Sequence, residues 1–169
     1  MAGWNYERND MIKFVKGDMF LTDCDAIGHG CNCEGYFGAG VALEIRHRFP
    51  LAFQQYKKAC QSGLFSPGVT QTVRCEDKII VNMATQAKIR RRDGSGGAKK
   101  EWIEKCLKNI SCNYKKWGYN SIAMPIVGCS LGGLDWKDIR PVFEKVFKDC
   151  ELKVVVYEEY TEGVKADEN

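Results

Sequence analysis

Three glycine-rich segments hold the residues of this chain that are best suited to chemistry. They lie at 17–20, 31–40 and 128–134, and each follows a short apolar run typical of a β-strand. Glycine lets the backbone approach a ligand closely and leaves N–H groups accessible. The last two segments run into predicted helix N-termini, where free N–H groups and the helix dipole favour anions. We therefore expect a cradle for a phosphate or diphosphate, with ordinary turns as the alternative.

Three polar side chains lie beside these segments, where they could face a bound ligand. His29 ends a predicted strand, where a neutral imidazole can move a proton near pH 7. A satisfied core histidine is the alternative for this residue. Asn32 lies in the second segment. Asp135 precedes a predicted helix, where it can act as an N-cap, face a ligand, or do both.

Established nucleotide-binding and metal-binding patterns fit the chain poorly. Residues 38–43 read G-x-G-x-x-L, which lacks the third small residue of the dinucleotide fingerprint, and the chain contains no P-loop. The nine cysteines are scattered without a C-x-x-C pair, and His29, Cys31 and Cys33 lack a second chelating pair. We therefore expect reduced thiols, no metal and no cofactor.

The composition is that of one globular domain. The chain has 169 residues, of which 44% are hydrophobic and 28% charged, and its mean hydropathy is −0.36. No apolar run approaches the roughly 18 residues of a membrane span, and residues 1–7 have no apolar core of a secretory signal. We expect a single domain over 1–169, a monomer in the cytoplasm or nucleus that is neither secreted nor attached to a membrane.

Most of the positive charge lies in one loop at residues 88–100, which we call the basic loop. It holds six basic residues and one acidic residue, whereas the net charge of the whole chain is only +3. The rest of the chain is therefore slightly acidic. Charge runs are usually solvated, and the alternative is contact with a nucleic-acid backbone near the predicted site.

The hydrophobic pattern predicts strands that alternate with helices. Strands are predicted at 11–16, 26–30, 69–74, 79–83, 121–124 and 154–157, and helices at 41–49, 51–61, 102–110 and 135–148. The strands at 69–74 and 79–83 read as a hairpin. Residues 1–10 are predicted to be a polar arm and residues 158–169 a frayed polar tail. The expected fold is an α/β sandwich with helices on both faces of a mixed sheet.

The glycine-rich segments together resemble the macrodomain family. The resemblance rests on Gly17-Asp18, on residues 30–42 (GCNCEGYFGAGVA) and on residues 125–136 (PIVGCSLGGLDW), in this order, and it covers the chain from about residue 11 to Tyr157. It implies a three-layer α/β/α macrodomain with a mixed central sheet. The chain looks similar to a branch that contains ADP-ribose-1''-phosphate phosphatases, terminal ADP-ribose glycohydrolases and antitoxins that clear ADP-ribose from DNA, and to small phage and viral members.

The resemblance implies a role for each segment. Asp18 would accept a hydrogen bond from the adenine amino group, and Tyr157 would pack beside the adenine. Asn32 would meet the distal ribose, and the last segment would wrap the diphosphate. The implied ligand-binding residues are Asp18, Met19, Gly38, Ala39, Gly40, Val41, Gly128, Cys129, Ser130, Leu131, Gly132, Gly133, Leu134 and Tyr157. A turn-forming Asp18 and a core Tyr157 are the alternatives.

One departure from the branch bears on the reaction. Its glycohydrolases use a lysine after the strand at Met83 and an aspartate in the last segment, where this chain has Gln86 and Gly132. We therefore expect hydrolysis of ADP-ribose 1''-phosphate to ADP-ribose and phosphate, with His29, Asn32 or Asp135 activating or orienting water. An ADP-ribosyl hydrolase that acts on protein or nucleic acid and a non-catalytic ADP-ribose reader are the alternatives.

Overall fold

Six strands form one sheet in a computed structural model, which describes residues 11–169; the polar arm predicted at 1–10 lies outside the described residues. The strands are β1 (Ile12–Gly17), β2 (Ala26–Cys31), β3 (Thr70–Arg74), β4 (Ile79–Ala84), β5 (Ser121–Pro125) and β6 (Lys153–Tyr160). The helices are α1 (Gly40–Arg48), α2 (Pro50–Gln61), α3 (Lys100–Trp117) and α4 (Trp136–Phe147), with a short 3-10 turn at Met19–Leu21. Each strand and helix predicted from the sequence is present, with shifted ends.

The sheet is mixed, with the strand order β1-β6-β5-β2-β4-β3. All neighbouring strands are parallel except β3, which pairs antiparallel with β4. The predicted hairpin is therefore confirmed. The central strands β6, β5, β2 and β4 run in the same direction, so their carboxyl ends lie along one edge of the sheet, where ligands bind in folds of this kind.

Two hydrophobic cores lie on opposite faces of the sheet. Successive residues of β2 point to opposite faces, so Ala26 contributes to one core and Ile27 to the other. The first core packs against α3 and α4, and the second against α1 and α2. This arrangement confirms the predicted three-layer α/β/α fold.

Local sequence explains where the helices begin and end. Pro50 stands at the first position of α2, where its missing N–H costs no hydrogen bond. Gly118 ends α3 in the left-handed conformation (φ +89°), which other residues adopt with strain. None of the helices within residues 11–169 is both long and apolar enough to span a lipid bilayer.

The polar segment after residue 157 is folded, which corrects the prediction of a frayed tail. β6 continues to Tyr160, and the residues that follow turn back over β1. Glu168 is 5% exposed and hydrogen-bonds to residues about 145 positions earlier in the chain. The polar composition of this segment gave no sign of such long-range contacts.

Candidate active site

A cavity of about 720 Å³ opens at the carboxyl ends of the central strands. Its volume lies within the roughly 300–1,000 Å³ typical of small-molecule sites. Its wall is made by the ends of β2, β4, β5 and β6, by the N-terminal turn of α1 and by the loop after β5. The lining residues are Phe20, His29, Gly30, Cys31, Asn32, Tyr36, Gly38, Ala39, Gly40, Val41, Ala42, Glu44, Thr85, Gln86, Ile89, Pro125, Ile126, Val127, Gly128, Ser130, Leu131, Gly132 and Tyr160.

Two glycine-rich loops bring backbone N–H groups to this cavity. Residues 40–42 form the first turn of α1, and residues 130–132 belong to the loop between β5 and α4. Both sets line the cavity, and their N–H groups have no acceptor among the described residues. Unpaired N–H groups in a water-accessible recess bind anions well. Free N–H groups therefore line the cavity where the sequence predicts a phosphate cradle.

The two loops meet across the cavity. A β-carbon placed on Gly40 would lie 3.3 Å from Leu131 Cδ1, and Gly40 has a φ of +58° that suits glycine. Gly128 has a φ of +78°, and a β-carbon there would lie 2.6 Å from Ile103 Cδ1 on α3. Glycine at these positions lets the backbone of both loops close around one narrow space.

Asn32 lines the cavity, and its amide also fixes the shape of the loop before α1. Its Oδ1 accepts hydrogen bonds from the Glu34 N–H (2.9 Å) and the Tyr56 hydroxyl (2.7 Å), and its Nδ2 donates to the Tyr36 carbonyl (2.8 Å). Tyr56 reaches the loop from α2 and also accepts from the Gly35 N–H at 3.1 Å. The Asn32 side chain therefore holds the cavity wall in place.

The structure places the His29 ring in the core, which matches the alternative considered for this residue. His29 contributes to the cavity wall but is only 1% exposed. Its Nε2 lies 2.7 Å from Asn82 Oδ1, and its ring packs edge-on against Phe37. Burial lowers the pKa of His29 from 6.5 to about 4, against the opposing effect of the Asn82 hydrogen bond. The ring is thus neutral and enclosed, so the structure gives no support to its predicted role in water activation.

The residues predicted at the adenine end lie behind the cavity wall. Asp18 is 4% exposed, and its carboxylate accepts hydrogen bonds from the Phe20 N–H (3.0 Å) and the Gly163 N–H (2.9 Å). Met19 is buried, and the Tyr157 hydroxyl donates to Glu168 Oε2 at 2.7 Å. None of Asp18, Met19 and Tyr157 lines the cavity. In the structure Asp18 forms a turn and Tyr157 packs in the core, which are the alternatives given for these two residues.

Four further predicted residues lie outside the cavity. Asp135 caps α4, because its Oδ1 accepts a hydrogen bond from the Lys137 N–H at 3.1 Å, and its side chain is exposed. Cys129, Gly133 and Leu134 belong to the loop before α4 but do not contribute to the cavity lining. The cap role considered for Asp135 is therefore confirmed, and its access to a ligand is not.

The thiols near the site are poor nucleophiles. The nine cysteines, all within the described residues, form no disulfide. Burial raises the pKa of Cys33 to about 12 and that of Cys129 to about 11, and it raises the pKa of the enclosed Cys31 well above the usual range. The reactive form of cysteine is the thiolate, so these residues act as apolar packing groups.

Several residues that the sequence analysis did not assign to ligand binding line the cavity. Phe20 and Tyr160 stand at one end, and Gln86 and Ile89 follow β4. Tyr160 lines the cavity, whereas the predicted Tyr157 is buried in the core, and the register between β1 and β6 shifts after Tyr157 so that Glu158 is skipped. Such a β-bulge re-aims the side chains that follow it. The position of Gln86 shortly after the end of a predicted strand was a signal that could have identified it. Nothing in the sequence marked the bulge.

The basic loop borders the cavity. Ile89 lines it, and the Ala98 N–H donates to the Gly132 carbonyl at 3.0 Å. Residues 88–96 are exposed, so the arginines at 90–92 lie in water on the loop that borders the cavity through Ile89. The predicted proximity of this loop to the site is therefore confirmed.

Comparisons with known proteins agree with this fold. A sequence model of the family described as Macro domain matches residues 29–143. The DNA ADP-ribosyl glycohydrolase of Thermus aquaticus is 29% identical over 153 residues, covering 88% of this chain and 41% of the relative. The ADP-ribose 1''-phosphate phosphatase of Meyerozyma guilliermondii is 24% identical over 162 residues, covering 79% of this chain and 93% of the relative.

A solved structure agrees as well. The macrodomain of Thermus aquaticus DarG superimposes with a TM-score of 0.78 and 28% identity, covering 87% of this chain and 97% of that chain. The chain spans about two fifths of the length of the first curated relatives that it matches. The family model, the sequence relatives and the solved structure all indicate a macrodomain over most of residues 11–169. The chain belongs to the Macro domain family.

Proposed function

We propose that the cavity binds the ADP-ribosyl group and that the protein hydrolyses ADP-ribose 1''-phosphate to ADP-ribose and phosphate. The observation that carries the proposal is the set of free N–H groups of residues 40–42 and 130–132 on one cavity. These groups can each donate to a phosphate oxygen, and charge-assisted hydrogen bonds of this kind are strong. The names of the relatives support the choice of ligand, since both act on compounds of ADP-ribose.

The cavity has two chemically different ends that fit the two ends of this ligand. Phe20 and Tyr160 offer aromatic surface for a planar base. Asn32 and Gln86 offer polar groups at the ends of β2 and β4, which suit the hydroxyl groups of the distal ribose. With the diphosphate on the N–H cradle between them, the terminal phosphate ester would lie near Asn32 and Gln86.

The reaction that this site supports relies on stabilising charge. Water attacks the phosphorus, the bond from phosphorus to the ribose oxygen breaks, and that oxygen receives a proton as ADP-ribose leaves. The N–H cradle holds the diphosphate and so positions the terminal phosphate ester, and the side-chain amide of Gln86 beside that ester can donate to the phosphoryl oxygens as negative charge develops on them. The family resemblance places Gln86 at the position of the lysine that the glycohydrolases of the branch use, which argues against a covalent lysine intermediate.

A second candidate function is removal of ADP-ribose from nucleic acid. The basic loop beside the cavity favours it, because exposed arginines at 90–92 can contact phosphates of a strand whose modified end enters the site. The Thermus aquaticus relative, named a DNA ADP-ribosyl glycohydrolase, supports the same substrate. In this case the leaving group would be a base or a terminal phosphate of the strand.

One experiment with two substrates separates these functions. Purified protein is incubated with ADP-ribose 1''-phosphate and, in parallel, with an ADP-ribosylated oligonucleotide, and the released phosphate and ADP-ribose are measured. We expect phosphate release from the first substrate. We expect the His29→Ala variant to keep this activity, because the ring is only 1% exposed and packs against Asn82 and Phe37. Release of ADP-ribose from the oligonucleotide alone would favour the second candidate. Binding of ADP-ribose without turnover of either substrate would contradict a hydrolase.

A further inference from the structure

The segment at residues 161–169, which we call the strap, packs across the turn that follows β1. The Thr161 N–H donates to the Gly17 carbonyl (3.0 Å), and the Asp18 N–H donates to the Val164 carbonyl (2.7 Å). A β-carbon on Gly17, which has a φ of +147°, would lie 2.7 Å from the Val164 oxygen. Glycine at position 17 therefore lets the strap approach the backbone this closely.

Glu168 anchors the far end of the strap inside the protein. Its Oε2 accepts hydrogen bonds from the Thr22 hydroxyl (2.6 Å) and the Tyr157 hydroxyl (2.7 Å), and its Oε1 accepts one from the Asp23 N–H (2.8 Å). The side chain is 5% exposed, so these donors replace water. Burial and the neighbouring Glu168 carboxylate raise the pKa of Tyr157, which keeps its hydroxyl protonated as a donor. Loss of a buried, hydrogen-bonded carboxylate leaves several donors unpaired.

The elements held by the strap are those that build the aromatic end of the cavity. The Gly163 N–H donates to Asp18 Oδ2, while Asp18 Oδ1 caps the short turn that carries Phe20. Gly17 pairs with Tyr160 at the end of β6. Phe20 and Tyr160 both line the cavity. The strap thus contacts the backbone beside both aromatic residues.

We propose that the strap positions Phe20 and Tyr160 for recognition of a base, with Glu168 as the positioning residue that holds the strap down. The proposal rests on the proposed function, because it concerns the same cavity. The N–H cradle of residues 40–42 and 130–132 makes no hydrogen bond to the strap. Releasing the strap should therefore weaken the binding of ligands that carry a base and leave unchanged the binding of ligands that consist of phosphate alone.

The test measures binding of ADP-ribose and of pyrophosphate by calorimetry to the wild-type protein, Glu168→Ala and Glu162→Ala. Glu162 is an exposed glutamate on the same strap and serves as the matched control. We expect Glu168→Ala to weaken ADP-ribose binding at least tenfold and to leave pyrophosphate affinity within twofold of the wild-type value. We expect Glu162→Ala to change the affinity for neither ligand. Wild-type affinity for ADP-ribose in Glu168→Ala, or equal losses for both ligands, would overturn the proposal.

A second variant keeps the test decisive if Glu168→Ala does not fold. Tyr157→Phe removes one donor to Glu168 and leaves the aromatic ring in the core. We expect ADP-ribose affinity to fall severalfold while pyrophosphate affinity stays unchanged. If ADP-ribose affinity does not fall selectively, the strap proposal is overturned. Failure of the wild-type protein to bind ADP-ribose would instead contradict the proposed function, so the two failures are distinguishable.

Discussion

Replacing Gly38 with glutamate is expected to weaken ADP-ribose binding about 100-fold without unfolding the protein. Gly38 lines the cavity, and a β-carbon there would have no atom within 4 Å. The added side chain thus has room, but its charge stands next to the N–H cradle. Two like charges about 5 Å apart repel by about 3 kcal/mol at an effective dielectric constant near 20. Calorimetric titration with ADP-ribose measures the loss.

Gly38→Gln is the matched control for this variant. Glutamine has nearly the same size as glutamate and no charge, so we expect it to weaken binding less than tenfold. A similar loss in both variants would mean that bulk, and not charge, blocks the cavity. Wild-type affinity in Gly38→Glu would contradict the placement of the diphosphate beside the turn at residues 40–42.

Acid is expected to destabilise the protein through His29. The folded state holds the pKa of His29 at about 4, whereas the ordinary value is 6.5. Between these values the unfolded chain binds the proton more tightly, so stability is lost as pH falls from above 6.5 towards 4. The contribution amounts to about 3 kcal/mol by pH 4. Denaturant unfolding at pH 7 and pH 4 measures the change.

His29→Gln isolates this contribution. Glutamine can still donate a hydrogen bond towards Asn82 Oδ1 but does not titrate. We expect the free energy of unfolding of the variant to fall by about 3 kcal/mol less than that of the wild-type protein over the same pH range. His47→Gln, on the exposed surface of α1, is the control and should behave like the wild-type protein. Equal pH dependence in wild type and His29→Gln would contradict the enclosed, neutral histidine.

The fold was largely predictable from the sequence because its elements depend on local patterns. Val154 and Val156 face one core while Val155 and Tyr157 face the other, which is the period-two pattern of a strand covered on both faces. The spacing of Ile103, Cys106, Leu107 and Ile110 likewise predicted the buried face of α3. Most helix ends shifted by one residue or less, whereas α3 runs seven residues past its predicted end at 110, to Trp117 before Gly118 ends it.

The candidate site was predictable in its backbone and less so in its side chains. The glycine loops at 38–40 and 128–132 line the cavity except at Cys129, because glycine placement follows backbone geometry. Side-chain positions depend on contacts distant in sequence. The register shift that skips Glu158 precedes Tyr160, which lines the cavity, and Gly163 of the strap donates to Asp18. Neither event has a local signature in the sequence.

A structure of the protein with ADP-ribose bound tests the central claim most directly. We predict diphosphate oxygens within hydrogen-bond distance of the N–H groups of residues 40–42 and 130–132. The base should contact Phe20 and Tyr160, and C1'' of the distal ribose should lie near Asn32 and Gln86. A ligand bound elsewhere on the protein, or a diphosphate that makes no contact with these N–H groups, would contradict the account.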